Sequence, residues 1–240
     1  MTGTPRLAVV PRDGAHRDAS ELARRLGLPL LLIEDDCGNI DDYDAVLLVG
    51  DKGLSVQRTG ARAPGPVTVD FGSADMRHRR RGGHNELLGR AVGIGRKPRL
   101  HVLDATAGLG RDSFVLADLG CDVLMCEREP LVAALLASGL EQGRASGDTW
   151  LQGVLARMRL WPGDARLLPA REIDAHDAIY LDPMFPARGK SAAAKKEMAL
   201  FQLLLASPLP VATELVNIKR PIFLAFAFLM CFLMFPATRK

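Results

Sequence analysis

Residues 100–112 constrain this chain more than any other stretch. L-H-V-L-D (100–104) is a short apolar run ending in a carboxylate, A-T-A-G-L-G (105–110) is a small-residue turn, and residues 111–119 have a helical pattern. Strand, glycine turn and helix in that order open an alternating α/β fold. The alternation continues: residues 122–127 read as a second strand, Pro130 opens a longer helix because proline suits the first helical turn, and 177–182 read as another strand. Residues 192–205 read as a helix. Strands alternating with helices predict a parallel sheet with helices on both faces. Ligands of such sheets bind outside the carboxyl ends of the strands.

Upstream, the text changes character. Residues 30–33, 45–49 and 67–71 are apolar runs bounded by turn residues, and 20–26 read as a short helix stopped by Gly27. They predict a small α/β lobe. Residues 76–99 hold Arg77, His78, Arg79, Arg80, Arg81, Arg90, Arg96, Lys97 and Arg99, interrupted by Gly82 and Gly83, with 85–92 helical. The net charge is only +3, so this local cluster says more about partners than the global balance does. The expected division is a lobe at 1–75, a basic connector at 76–99, a main domain at 100–221 and an apolar tail at 222–240. A chain of 240 residues, 48% hydrophobic, suffices for one core with a small appended lobe.

The glycine turn carries the first chemical signal. Gly108 and Gly110 let backbone approach a ligand closely, since no Cβ intervenes. Dinucleotide-binding turns read G-x-G-x-x-G, whereas here the third position is Ser113. Acids flank the turn instead, Asp104 before it and Asp112 after Arg111. Carboxylates repel a pyrophosphate and attract a cationic amino-acid head group, which favours S-adenosylmethionine over a nicotinamide cofactor. Glu127, ending the next strand, is placed to accept from ribose hydroxyls; it equally suits a solvated strand end. Asp164, in W-P-G-D-A-R (161–166), is a candidate for the adenine amino group, or a plain surface turn.

The second signal is D-P-M-F-P (182–186), directly after the apolar run 178–181. A base amino group is a poor nucleophile because its lone pair is delocalised into the ring. Asp182 and nearby carbonyls can accept its N–H bonds and favour the pyramidal nitrogen. Phe185 can stack on a base removed from its helix. Pro183 and Pro186 stiffen the loop and limit misplacement of the target atom. Beyond it, Arg188, Lys190, Lys195 and Lys196 supply cations for phosphate contact, as do Arg79, Arg80 and Arg81; a solvated helix face is the plainer reading of such lysines.

These strings resemble the bacterial small-subunit ribosomal RNA guanine-N2 methyltransferase J family. The likeness rests on D-A-T-A-G-L-G-R-D (104–112), C-E-R (126–128), Y-L-D-P-M-F-P (180–186), and Lys190-Ser191 through K-K-E-M (195–198), with Asp70-Phe71, H-R-R (78–80) and Gly82-Gly83 ahead of them. It runs from about residue 67 to 198, and the lobe matches loosely. The resemblance implies a Rossmann-like class I S-adenosylmethionine-dependent sheet with a small N-terminal α/β lobe. It implies a cytoplasmic enzyme that methylates the exocyclic N2 of a guanosine in 16S rRNA, as naked RNA or within the small ribosomal subunit. By position, Arg111 and Asp112 fall on the family's cofactor pair, Glu127 and Arg128 on its ribose-end pair, Asp164 and Ala165 on its adenine-side pair, and Asp182 on its catalytic acid.

Three further readings complete the expectation. Cys37, Cys121, Cys126 and Cys231 form no C-x-x-C pair and have no His cluster beside them, so free thiols and no metal site are expected. The N-terminus lacks the apolar core of a secretory signal. Residues 222–235 are wholly apolar and depart from the family's ending, although 216–221 still resemble its strand ending in Lys-Arg-Pro. The run is shorter than the roughly 20 residues that span a bilayer, so no stable membrane association is expected. It reads as a buried strand or helix, a frameshifted tail, or a membrane-adhering segment. Rival functions are amino methylation of another nucleic acid or of a protein amide, and RNA binding by a homologue impaired in catalysis. A nicotinamide-dependent dehydrogenase is a more distant rival.

Overall fold

The computed structural model describes residues 5–32, 42–80, 84–182, 197, 200, 203 and 223–226. The chain forms two compact units: residues 1–70 with 134–142 and 185–209, and residues 71–133 with 143–184 and 210–240.

The first unit holds a four-stranded sheet in the order β1-β2-β3-β4, from β1 (Leu7–Pro11), β2 (Ala45–Gly50), β3 (Gly53–Arg58) and β4 (Val67–Thr68). Helix α1 (His16–Leu26) carries the crossover between the parallel pair β1 and β2. It stops where Gly27, at φ +64, turns left-handed and returns its N–H to the last carbonyls. Strands β2 and β3 form a hairpin over a two-residue turn, with Gly53 at φ +83. In β3 only Leu54 and Val56 are buried, so the strand alternates as a half-covered strand should.

Two corrections to the sequence reading fall here. The strand expected over 30–33 shrinks to a single bridge from Leu30 to Val9, with Leu32 71% exposed and Ile33 outside the described residues. The strand expected over 67–71 ends at Thr68. The two strands the sequence reading omitted, β1 and β3, take that pairing instead. β1 brings Ala8, Val9 and Val10 into full burial beside β2, a larger apolar gain than 30–33 can offer.

The second unit holds a five-stranded sheet, β7-β6-β5-β8-β9, parallel throughout. Its strands are β5 (His101–Asp104), β6 (Asp122–Glu127), β7 (Met158–Pro162), β8 (Ala178–Leu181) and β9 (Phe223–Phe226). The helices from here on are α2 (Ala74–Arg80), α3 (His84–Val92), α4 (Arg111–Asp118), α5 (Pro130–Ala145), α6 (Thr149–Leu155) and α7 (Ala170–Asp174), of which α5 gives its residues 134–142 to the first unit and the others belong to the second. Pro130 begins α5 as expected, and Asp148 caps α6 by accepting from Leu151 N–H at 3.1 Å. Phe71 stacks on Phe114 at 5.3 Å, and Trp150 meets Phe114 edge-on at 6.0 Å, which ties α4 and α6 into one core. β9 lies inside the apolar run of the tail and pairs with β8 from Ala178↔Phe223 to Leu181↔Phe226, so part of that run is a strand of the sheet. Residues 216–221 and 227–235 lie outside the described residues. Of the helix expected over 192–205, Glu197, Leu200 and Leu203 are described, and they are helical.

Cys121 and Cys126 are buried free thiols, pushed up to about 11 and about 12 by loss of water around the thiolate. No helix among the described residues is long and apolar enough to cross a membrane.

Candidate active site

The site grows from the carboxyl end of β5, the middle strand of the parallel sheet. Asp104 ends that strand at 1% exposure. Its Oδ1 accepts from Thr106 N–H at 3.1 Å and its Oδ2 from the Ser113 hydroxyl at 2.5 Å. Burial pushes its carboxyl up to about 7, against the opposing pull of the Ser113 and Thr106 bonds. Asp104 therefore shapes the turn from inside. Ser113, which the sequence shows only as a departure from the dinucleotide pattern, is its buried partner on α4.

The turn is fastened on both sides. Ala105 N–H donates to Tyr180 C=O on β8 at 3.0 Å, and Ala107 N–H donates to Cys126 C=O on β6 at 3.0 Å. Gly108 at φ +55 and Gly110 at φ +74 hold left-handed conformations that a Cβ would strain, which explains glycine at both. Gly110 N–H turns back to Ala107 C=O at 2.8 Å and leads into α4.

Glu127 stands at the carboxyl end of β6. Its Oε2 accepts from Gly108 N–H at 2.9 Å and its Oε1 from Glu129 N–H at 2.8 Å. Burial raises its carboxyl, more than those two bonds lower it. Arg128, beside it, is exposed. In the first turn of α4, Arg111 lies 3.7 Å from Asp75, and Asp112 accepts from the Tyr180 hydroxyl at 2.8 Å. Tyr180 is buried, and its hydroxyl is held protonated by desolvation and by the Asp112 charge.

Asp164 caps a single 3-10 turn, Ala165–Leu167, and its carboxylate faces the Arg166 guanidinium at 3.0 Å and 2.5 Å. That bond holds it below the usual carboxylate range. Ala165 is buried with Leu103, Leu124 and Ile179, so its side chain serves the core. Asp182 follows β8 and is exposed; its N–H donates to the Thr106 hydroxyl at 2.8 Å. Asp104, Gly108, Gly110, Glu127 and Asp182 thus gather at the carboxyl ends of three adjacent strands. Thr106 and Tyr180, which sequence reasoning did not single out, join them; each lies inside a quoted motif, but neither residue type signals chemistry alone.

Pro183, Phe185, Lys190, Lys195, Lys196 and Arg81 lie outside the described residues, and the side chains of Arg79 and Arg80 are not described. Elsewhere in the basic connector, Arg77 pairs with Asp148 at 3.6 Å, Lys97 with Asp177 at 2.6 Å and Arg99 with Asp122. These three cations are thus partly neutralised within the unit. Among the described residues, no group of three His, Cys, Asp or Glu side chains could hold a metal ion.

The donor set suits S-adenosylmethionine. Glu127 is a half-buried acid that accepts from the backbone N–H groups of Gly108 and Glu129, and the glycine turn lets the backbone approach a ligand. The fold and this site define a class I, Rossmann-like S-adenosylmethionine-dependent methyltransferase. The SAM-dependent methyltransferase family matches residues 32–220. A solved SAM-dependent methyltransferase from Neisseria gonorrhoeae is 32% identical, with a TM-score of 0.59 over 82% of this chain and 79% of that one. The ribosomal RNA small subunit methyltransferase J of Ectopseudomonas mendocina (strain ymp) is 44% identical over 92% of this chain and 87% of its own length. That of Dechloromonas aromatica (strain RCB) is 47% identical over 75% and 78%. The chain belongs to the ribosomal RNA small subunit methyltransferase J family.

Proposed function

We propose that this chain methylates the exocyclic N2 of a guanosine in 16S rRNA, using S-adenosylmethionine. The observation that carries the reading is the meeting of three strand ends, with the glycine turn after β5, Glu127 after β6 and Asp182 after β8. S-adenosylmethionine supplies an electrophilic methyl carbon on a sulfonium.

The chain's own residues position the two reactants. Glu127 accepts from the ribose hydroxyls, with Arg128 beside it. Gly108, Gly110, Arg111 and Asp112 line the amino-acid end, where Asp104 adds negative potential from within the turn. Asp164 and the backbone of Ala165 border the adenine. Asp182 accepts the amino protons of the base and favours the nucleophilic nitrogen; Pro183 and Phe185 follow it in the chain as stiffener and stacking platform. Arg79, Arg80, Arg81, Lys190, Lys195 and Lys196 contact RNA phosphates. Work of this kind is positioning and electrostatics. We place the enzyme in the cytoplasm, where its RNA is, and take the four-part division 1–75, 76–99, 100–221 and 222–240 as its functional organisation.

The test is transfer of tritiated methyl groups to undermodified small subunits and to naked 16S rRNA, followed by nucleoside analysis. N2-methylguanosine is the expected product. Label in adenine or in a protein amide would move the chain to another amino-methyltransferase class. Salt-dependent RNA binding without transfer would mark an impaired homologue.

A further inference from the structure

We propose that Thr106 is a positioning residue for the methyl-transfer step: its hydroxyl fixes the start of the catalytic loop to the cofactor turn. The inference rests on the functional reading above.

The β5–β8 ladder pairs residues only as far as Asp104↔Tyr180. Beyond that pair β5 gives way to the glycine turn, while β8 runs on through Leu181, paired with Phe226, to Asp182. Ala105 N–H still reaches Tyr180 C=O at 3.0 Å, and the Thr106 hydroxyl then accepts from Asp182 N–H at 2.8 Å. A side chain thus adds one more rung where the backbone ladder has run out. The other end of Thr106 is anchored too, since its own N–H donates to the buried Asp104 carboxylate at 3.1 Å. A continuous line runs from the buried end of β5, through Thr106, to the backbone of the residue that meets the substrate amino group. Thr106 is half-buried and Asp182 exposed, so the bond meets water on the loop side and acts by geometry rather than by shielding.

The chemistry explains why such a strut matters. Methyl transfer needs the amino nitrogen and the methyl carbon aligned, and a displacement of about 1 Å can cost on the order of a hundredfold in rate. Asp182 sits on the loop side and the cofactor residues on the turn side. A bond joining the two sets their spacing without touching either reactant. Tyr180 reinforces the junction through its hydroxyl bond to Asp112.

Thr106→Val keeps the shape and removes the hydroxyl, whereas Thr106→Ser keeps the oxygen. Three readouts separate positioning from mere structure: amide hydrogen exchange at Asp182, affinity for S-adenosylhomocysteine, and kcat on undermodified small subunits. Thr106→Val is expected to speed exchange at Asp182 and lower kcat about tenfold, with S-adenosylhomocysteine affinity within about twofold of wild type. Thr106→Ser is expected to stay within about threefold of wild-type kcat, with exchange near wild type. Unchanged exchange in Thr106→Val, an affinity loss proportional to the kcat loss, or equal impairment of Thr106→Ser overturns the proposal. Wild-type protein that methylates nothing overturns the functional reading instead; exchange and affinity then still judge the strut.

Discussion

The two ends of the parallel sheet use the same residue types to opposite effect. At the amino-terminal end, Asp122 is bonded by Arg99, and Asp177 accepts from His101 N–H at 2.8 Å and pairs with Lys97. Arg99 holds Asp122 below the usual carboxylate range; Asp177, despite some desolvation, is held low by His101 N–H and Lys97. At the carboxyl-terminal end, Asp104 and Glu127 are bound by N–H and O–H groups, and burial raises both. One end neutralises its acids with resident cations. At the other end Asp164 has a cation in Arg166, but Asp104 and Glu127 are desolvated acids held by hydrogen-bond donors. Desolvated acids are costly in a purely structural role, and the proposed cofactor is a cation that would offset that cost at this end.

The sharpest way to break this contrast is Asp182→Ala. Loss of the proton acceptor at the reacting nitrogen is expected to cut single-turnover methyl transfer on the order of 10²–10³-fold. Transfer at the wild-type rate would remove Asp182 from the chemistry and shift the site along the loop. Next in size is Glu127→Ala, expected to weaken S-adenosylhomocysteine binding about ten- to a hundredfold in titration calorimetry, as removal of a charged hydrogen-bonding group does. Unaltered binding would reduce Glu127 to a clasp on Gly108.

Asp104 sharpens the contrast through pH. Its carboxyl is raised from 3.8 to about 7, so the fold holds that proton more tightly than the unfolded chain does. The resulting stabilisation is complete below about 4 and is lost as pH rises through about 7. Asp104→Asn carries no such proton. Its stability relative to wild type in urea melts is expected to improve from pH 4 to 7 and level off above about 8. A gap that ignores pH would mean Asp104 is ionised throughout.

The smallest effect belongs to the amino-terminal end. Arg99→Gln removes an exposed ion pair and is expected to leave the urea midpoint close to that of wild type, with S-adenosylhomocysteine affinity unchanged. A clear drop in that midpoint, measured by the same melts, would make that end a structural clamp rather than a solvated edge.

Much of the second unit was legible because its signals are local. β6 at Asp122–Glu127 and α5 from Pro130 begin where the apolar run and the proline predict. Of the acids, Glu127 and Asp182 stand at the strand ends where the motifs place them. For Asp104 the motif suggested a cofactor contact, and the fold adds what the motif could not show, burial and a bond to Ser113 that anchors the turn from inside. In the first unit, β1 and β3 escaped notice because their burial comes from neighbours distant in sequence. P-R-L-A-V-V-P is punctuated by prolines like a loop, and G-L-S-V-Q-R shows only two apolar positions. Helix α2 read as a charge cluster, and α6 gave too short a pattern to stand out.

By itself the sequence determined the alternation of strands and helices, the two left-handed glycine positions, the acids at the strand ends and the family they resemble. Each follows from properties carried by one residue or its near neighbours: hydrophobic period, freedom at φ, charge. Tertiary structure alone decided that Ser113 and Thr106 hold Asp104, that Thr106 also receives Asp182 across 76 positions of chain, and that part of an anomalous apolar tail pairs with β8. Those outcomes depend on strand order, because a parallel sheet makes neighbours of strand ends that the chain keeps far apart.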